Sequence, residues 1–332
     1  MPRAVDVHDA PFRVMLPRGT GDYRVLMYGH GTGGTVEDSA FDEAIAEQGA
    51  AKVGIEYYGW TESTVIDTFL TLQDVVIGSS RASMGLVQAV ADAGAIRHAL
   101  GGPLGEALAA PMLGGETNPH AGRHPDDSVP IWVGGSLGGT MGLVFTASDP
   151  GVHHAVLNVP GAAWGTWVAD ALQFGLIQPV IARANGGALN VWIGIAAGQT
   201  FLDECDGASW VDVMAEDPVI ALVQESIGDP VLPNPGTHVV ARVVGASQLG
   251  AVLLPVAGVE SATAEVRGAS VLTQYRVAGS DPLEVHGFAA QDTEAAAAAQ
   301  DQIFEFVTST WAGESVIHVP AGCAGGSCDF AR

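Results

Sequence analysis

The stretch VPIWVGGSLGGTMGLVFTAS, Val129–Ser148, governs how this chain is read. An apolar, β-branched run ends at Val133, and a run with helical spacing begins near Leu137. Between them Ser136 is flanked by two glycine pairs, Gly134-Gly135 and Gly138-Gly139. A turn that only had to be tight needs a single glycine. Two pairs around one hydroxyl imply crowded backbones and a serine on display. Gly-x-Ser-x-Gly between a strand and a helix has the logic of a nucleophile elbow. The serine sits on a sharp turn and projects above the sheet edge, beside the free N–H groups of a helix N-terminus. In a chain with 44 glycines the pattern alone is weak; the strand before it and the helix after it give it weight.

A serine hydroxyl is a poor nucleophile until a base takes its proton, and that base is a histidine oriented by a carboxylate. In a strand–turn–helix setting the chain order is serine, acid, histidine, so both partners are sought downstream. His286, in SDPLEVHGFAA, follows the last strand-like run and is followed by Gly287 and a helical run. His153 and His154 open a strand at the edge away from the site, His238 falls on a helix, and His318 lies beyond the closing helix. For the acid, Asp229 ends the run ALVQESIGDPVLPN, where Gly228 and Pro230 turn the chain at once. Its rivals are Asp281 and Glu284, near His286, and Glu225, inside the strand. Two N–H donors are expected to hold the oxyanion. One is that of Leu137, directly after the serine. The other comes from HGTGGT, His30–Thr35, with Thr32 the choice, Gly33 the alternative and His30 a brace for the loop.

Further outward, strand-like runs (Phe12–Leu16, Tyr23–His30, Ala51–Tyr58, Val129–Val133, His153–Pro160, Val219–Gly228, Ser270–Gly279) alternate with helical ones. This favours a mostly parallel sheet with helices on both faces. The spacing predicts helix from Asp67 to Leu100, then a long Gly/Pro/His-rich loop from Gly101 to Ser128. Residues 161–214 differ in texture: they are apolar, helical in pattern and carry Trp164, Trp167, Trp192 and Trp210. They read as a lid inserted over the sheet of a single domain spanning 1–332, with a short tail at 314–332. Trp164, Phe174 and Tyr57 are candidate substrate contacts, which favours a hydrophobic acyl ester.

The formal net charge is -24 and Lys52 is the one lysine. That excess argues against nucleic-acid binding and slows approach to anionic membranes. No apolar run reaches the ~20 residues that span a bilayer, and the N-terminal stretch lacks the apolar core of a signal peptide. Cys323 and Cys328, separated by a Gly-rich turn, suggest a small terminal disulfide and an oxidising compartment, with Cys205 left unpaired.

From about Tyr23 to Gly313 the chain resembles a serine hydrolase of the α/β-hydrolase superfamily. HGTGG, GGSLGG, IGDPVLP and VHGF are similar to its oxyanion, nucleophile, acid and base segments. Two stretches, Gly134–Ala162 and Thr71–Arg97, are similar to bacterial extracellular and outer-membrane lipases of the virulence-factor type. The resemblance implies an α/β-hydrolase fold and carboxylic-ester hydrolysis with no metal or organic cofactor. Ser136 would attack, His286 would take the proton, and Asp229 would hold the imidazole. It adds weight to a secreted or periplasmic location, with the cytoplasm as the alternative. Small-molecule or lipid-like esters are the expected partners. Acyl transfer, polyester hydrolysis, peptide cleavage, or a binding protein that keeps only the fold remain as alternatives.

Overall fold

The computed structural model describes residues 7–263, 265–279 and 281–331. Nine strands form its main sheet: β1 (Phe12–Met15), β2 (Tyr23–Gly29), β3 (Ala50–Ile55), β4 (Pro125–Gly135), β5 (His154–Asn158), β6 (Ile220–Ser226), β7 (Ser247–Leu249), β8 (Ser261–Ala262) and β9 (Val271–Tyr275). Their spatial order is β1-β3-β2-β4-β5-β6-β9-β7-β8. β1 is antiparallel to β3, and the other pairings are parallel. From β2 the chain first adds β3 on one side, then β4 on the other. Open parallel sheets bind ligands outside the strands' C-terminal ends where the order reverses in this way. The register keeps those ends level, with Gly29 opposite Gly134 and Gly135 opposite Asn158.

Strands covered on both faces read as continuous apolar runs. Ile131 and Trp132 of β4, Ala155–Leu157 of β5 and Ala221–Val223 of β6 are fully buried. The helical stretch before β4 is two helices, α1 (Val65–Thr71) and α2 (Val75–Leu100), because Asp74 caps the second by accepting the Ile77 N–H at 3.0 Å. Leu86, Ala89, Ala93, Ile96 and Leu100 recur at helical spacing and share one core with Trp132 and Phe145. The expected loop from Gly101 to Ser128 is not a loop. It holds a helix at Pro103–Ala109, a two-residue hairpin pairing Met112–Leu113 with Glu116–Thr117, and the first residues of β4. Pro103 at the helix start is the signal that composition masked.

After β4 comes α3 (Leu137–Ser148), then β5 and a helical segment that precedes β6. This segment holds short turns at Trp164–Thr166 and Val168–Asp170, then α4 (Leu172–Ala184) and α5 (Ala188–Leu202). Between Leu172 and Leu202 the one charged residue is Arg183, and Leu176, Val180, Leu189 and Ile193 are exposed. α6 (Asn234–Val243) follows β6, and α7 (Glu294–Trp311) closes the second face. Thr293 caps α7 through the Ala296 N–H at 3.1 Å. Ile303, Phe306 and Val307 of α7 pack with Leu26, Ile131, Val156 and Leu222 from the sheet.

The tail returns to the body of the fold. Val316–Ile317 pairs with Val266–Arg267, Asp329 meets Arg276 at 2.9 Å, and a disulfide joins Cys323 to Cys328. Cys205 is a buried free thiol, and burial pushes its pKa up. Closing a loop between cysteines 5 residues apart restricts the unfolded chain, a gain of about 2 kcal/mol. The double variant Cys323→Ser/Cys328→Ser is therefore expected to lose about 2 kcal/mol of unfolding free energy in a denaturant titration. A mass gain of about two hydrogens on reduction would register the bond itself.

Candidate active site

β4 hands over to α3 through Ser136 alone, which sits at φ 58, ψ -121. A side chain at such angles costs about 1–3 kcal/mol unless its surroundings impose them. Here they do. The Ser136 N–H donates to the Asn158 carbonyl of β5 at 2.9 Å, and the Ser136 carbonyl accepts from the Thr140 N–H at 2.9 Å and the Thr140 hydroxyl at 3.0 Å. The flanking glycines let α3 approach the strands. A Cβ on Gly138 would collide with the Gly29 carbonyl of β2, and one on Gly134 would meet the Gly138 backbone. Backbone cannot swing aside as a side chain can. Gly138→Ala is therefore expected to destabilise the fold by about 3 kcal/mol or more, read as a lowered denaturation midpoint.

The residues expected as acid and base meet at the ends of neighbouring strands. Asp229 lies in the turn after β6, and His286 ends a short helix, Pro282–His286, that follows β9. His286 Nδ1 stands 2.6 Å from Asp229 Oδ2. The other carboxylate oxygen accepts the N–H groups of Val231 at 2.8 Å and Leu232 at 3.0 Å, which fixes its orientation. The Ser226 hydroxyl donates to the Val285 carbonyl at 2.7 Å and ties the two segments together. His286 Nε2 is buried with no hydrogen-bond partner among the described residues. His286 and Ser136 line a common cavity, about 740 Å³ including its open mouth.

The rivals are occupied elsewhere. Glu225 is fully buried, pairs with His238 at 2.8 Å and accepts from Gln274 at 2.8 Å. Asp281 caps the short helix through the Leu283 N–H, and Glu284 is exposed. His153 faces Asp217, and His318 sits between Glu265 and Glu305.

In the loop after β2, the Gly33 N–H is committed to the Trp60 carbonyl at 2.7 Å and the Gly34 N–H to the Gly31 carbonyl at 2.9 Å. That removes Gly33 as an oxyanion donor. Thr32 and Leu137 both line a second cavity together with Ser136. His30 lies beneath the loop, fully enclosed. Its Nδ1 donates to the Gly31 carbonyl at 2.7 Å, and its Nε2 accepts the Tyr57 N–H at 3.3 Å, so the ring is neutral with its proton on Nδ1. Burial holds the His30 pKa below the ordinary histidine value. A depressed folded pKa gives stability that is complete above about pH 6.5 and is lost as the pH falls through the lowered value. Denaturation midpoints from pH ~8 down to ~4 should thus fall more steeply for the wild type than for His30→Gln.

No protein-family model matches the sequence, and no curated protein matches it. Solved structures do match. An acylaminoacyl peptidase from Pyrococcus horikoshii is 10% identical with TM-score 0.51, over 93% of this chain and 40% of the peptidase. BpoC from Mycobacterium tuberculosis H37Rv, assigned as a non-heme bromoperoxidase, is 15% identical with TM-score 0.51, over 93% of this chain and 99% of BpoC. A puromycin hydrolase is 15% identical with TM-score 0.51, over 91% of this chain and 38% of its own. The chain thus spans about two fifths of the length of the peptidase and of the puromycin hydrolase. This is the α/β-hydrolase fold.

The second cavity, about 1100 Å³ including its mouth, runs from Ser136 under the helical segment. Its wall is mostly apolar, with Trp60, Phe69, Phe174, Ile181 and Ile195 among the lining side chains. Trp164 also lines it, and Asp206 holds that part of the wall in place. Asp206 is fully buried and accepts four hydrogen bonds, from the N–H groups of Ala163 (2.7 Å), Trp164 (3.0 Å) and Ala208 (3.0 Å) and from Gln199 Nε2 (2.9 Å). The expectation for Tyr57 needs correction. Its ring is fully buried edge-on to His30, with centroids 5.0 Å apart, and lies outside the cavity lining. Directly after β3 the chain turns this side chain inward rather than toward the strand ends.

Two residues of the site carried no local signal in the sequence. Asn158 anchors the Ser136 N–H, and its own amide donates to Gln224 at 3.0 Å. Asp206 reaches Ala163, 43 residues away. Among the described residues no group of three His, Cys, Asp or Glu side chains is arranged to hold a metal ion. No helix among them is long and apolar enough to cross a membrane.

Proposed function

We propose that this protein is a serine carboxylic-ester hydrolase acting on hydrophobic acyl esters through a covalent acyl-enzyme. The observation that carries the reading is the 2.6 Å contact of His286 Nδ1 with Asp229, in a ring that shares a cavity with the strained Ser136. In the proposed cycle Ser136 Oγ attacks the ester carbonyl while His286 Nε2 takes its proton. Asp229 holds the Nδ1–H and stabilises the imidazolium. The N–H groups of Thr32 and Leu137 receive the oxyanion, and the imidazolium then protonates the departing alkoxide. Water attacks the acyl carbonyl next, with Nε2 again taking the proton, and Ser136 leaves with it.

The apolar cavity supports a hydrophobic acyl group, and residues 161–214 serve as its lid within a single domain. The likeness of Gly134–Ala162 to virulence-factor lipases adds lipid-like esters to the candidate substrates, and a polyester presents the same bond. The Cys323–Cys328 disulfide favours export to an oxidising compartment.

A chain-length series of p-nitrophenyl esters, run beside matched p-nitroanilides, tests the reading. Esters should turn over, and the preferred chain length should report the depth of the acyl cavity. A folded wild type that cleaves no ester would sink the proposal. Anilide cleavage as fast as ester cleavage would move the reaction to amide hydrolysis, in line with the acylaminoacyl peptidase that shares the fold.

A further inference from the structure

We infer that Asn234 is a positioning residue of the proposed reaction: its side-chain amide fixes the turn that carries Asp229, and through that carboxylate it sets where His286 is held. The inference rests on the ester-hydrolase reading and deepens it. Asp229 follows a reversal of the chain. β6 ends at Ser226, and Gly228 turns at φ 81, a conformation that glycine enters freely. The turn's own backbone bond, from the Asp229 N–H to the Ser226 carbonyl, is long at 3.3 Å. Two shorter bonds come from Asn234. Its Oδ1 accepts the Gly228 N–H at 2.8 Å, and its Nδ2 donates to the Ser226 carbonyl at 2.7 Å. One planar amide thus grips both sides of the reversal immediately before the acid.

The place of this asparagine in the chain suits the task. It opens α6, where Pro233 in the cap position has no side-chain acceptor for the free N–H groups of the first turn. An asparagine oxygen is the kind of acceptor that caps helices elsewhere; here it faces back to the turn before Asp229 instead. Pro230, Pro233 and Pro235 each fix a φ between the acid and this clamp, so the link between them is stiff. The same link supplies the Val231 and Leu232 N–H groups that hold Asp229 Oδ1. The acid is therefore fixed twice, its carboxylate by those two N–H groups and its backbone by Asn234.

Asn234 is buried and lines neither of the cavities that Ser136 faces. Its loss should therefore displace the carboxylate and leave substrate binding alone. Catalysis is sensitive to such displacements, since a shift of about 1 Å at a reacting group costs about 100-fold in rate. The second tie of the turn, from the Ser226 hydroxyl to the Val285 carbonyl at 2.7 Å, does not involve the Asn234 side chain. It stays in place when the amide is removed, so the effect of Asn234 on Asp229 can be read separately.

The test uses Asn234→Ala, which deletes the amide, and the nearly isosteric Asn234→Asp, which serves if the alanine variant does not fold. The aspartate keeps an acceptor for the Gly228 N–H but sets a carboxylate oxygen against the Ser226 carbonyl. On a p-nitrophenyl ester each variant should lower kcat by about 10- to 100-fold with KM nearly unchanged. In an Asp229→Ala background the same substitutions should cost nothing further, because their effect passes through the carboxylate. A purely structural role would lower the rate by the same factor in both backgrounds, and that result would overturn the inference. A wild-type kcat in both variants would overturn it too, and would leave the hydrolase reading intact. Proton NMR gives a readout that needs no substrate. The His286 Nδ1–H resonance, carried downfield by its bond to Asp229, should move upfield in either variant, and an unmoved resonance would count against the inference. If folded wild type cleaves no ester, the hydrolase reading fails, while the resonance still decides whether Asn234 positions the pair.

Discussion

Replacing Ser136 by alanine is expected to lower kcat on a p-nitrophenyl ester by about 10,000- to 1,000,000-fold and to leave stability within about 0.5 kcal/mol of wild type. The loss is large because no acyl-enzyme can form. The remaining rate would come from substrate binding and the oxyanion donors. Stability should hold because alanine keeps the Cβ and inherits the same backbone, φ 58 and ψ -121. Glycine at this position separates the two effects. Without a Cβ it adopts these angles freely, which releases strain of about 1–3 kcal/mol. Its greater freedom in the unfolded chain offsets about 0.5–1 kcal/mol of that gain. Ser136→Gly is therefore expected to be as inactive as Ser136→Ala and more stable than wild type by about 1 kcal/mol. Denaturant titrations of the three proteins beside the ester assay would show it. A glycine variant less stable than wild type would mean that the serine side chain contributes more through contacts than its backbone costs. An alanine variant as active as wild type would remove Ser136 from the chemistry.

What could be read from the sequence followed from how local each signal is. The turn at Ser136 is written in adjacent residues, with glycines where α3 crosses β2 and β4. Asp229 and His286 follow from chain order and from turn residues beside them, Gly228, Pro230 and Gly287. The parallel strands are apolar runs buried on both faces, so alternation with helices was enough to propose the sheet. Features that depend on chain returning from far away left no such trace. The anchoring of the Ser136 N–H by Asn158 depends on the register of β4 against β5. Asp206 reads as a simple Asp-Gly turn, yet its carboxylate binds backbone that is distant in sequence. Tyr57 follows a strand as a rim residue would, and only the packing against His30 shows that it turns inward. The hairpin and short helix between Gly101 and Ser128 were masked by a composition that suits loops equally well. The indole N–H groups of Trp164 and Trp167, buried with no hydrogen-bond partner among the described residues, illustrate the same limit. A sequence shows where tryptophans are, not whether their N–H groups find a carbonyl.

Asp229→Asn is expected to lower kcat by about 10,000-fold with little change in fold. The geometry says why a change of one atom is so costly. Asp229 Oδ1 is held by the N–H groups of Val231 and Leu232, so that position must remain an oxygen. In the asparagine variant the amide oxygen stays there, and the NH2 group is forced into the place of Oδ2, 2.6 Å from His286 Nδ1. Two donors cannot face each other, so Nδ1 must become the acceptor and the ring proton moves to Nε2. Nε2 is the nitrogen that would take the proton of Ser136, and in that tautomer it has no lone pair for it. The ring stays in place and the base is lost. Asp229→Ala gives the contrasting case, since it leaves the tautomer free but removes the anchor for both N–H groups and the partner of the imidazolium. The pair of variants therefore separates tautomer control from positioning. If the carboxylate acts as argued, the asparagine variant should recover rate as the pH rises, because hydroxide can replace the missing base. It should also keep its wild-type denaturation midpoint. An asparagine variant that retains most of its activity near neutral pH would show that the 2.6 Å contact is structural, and that the proton of Ser136 leaves by another route.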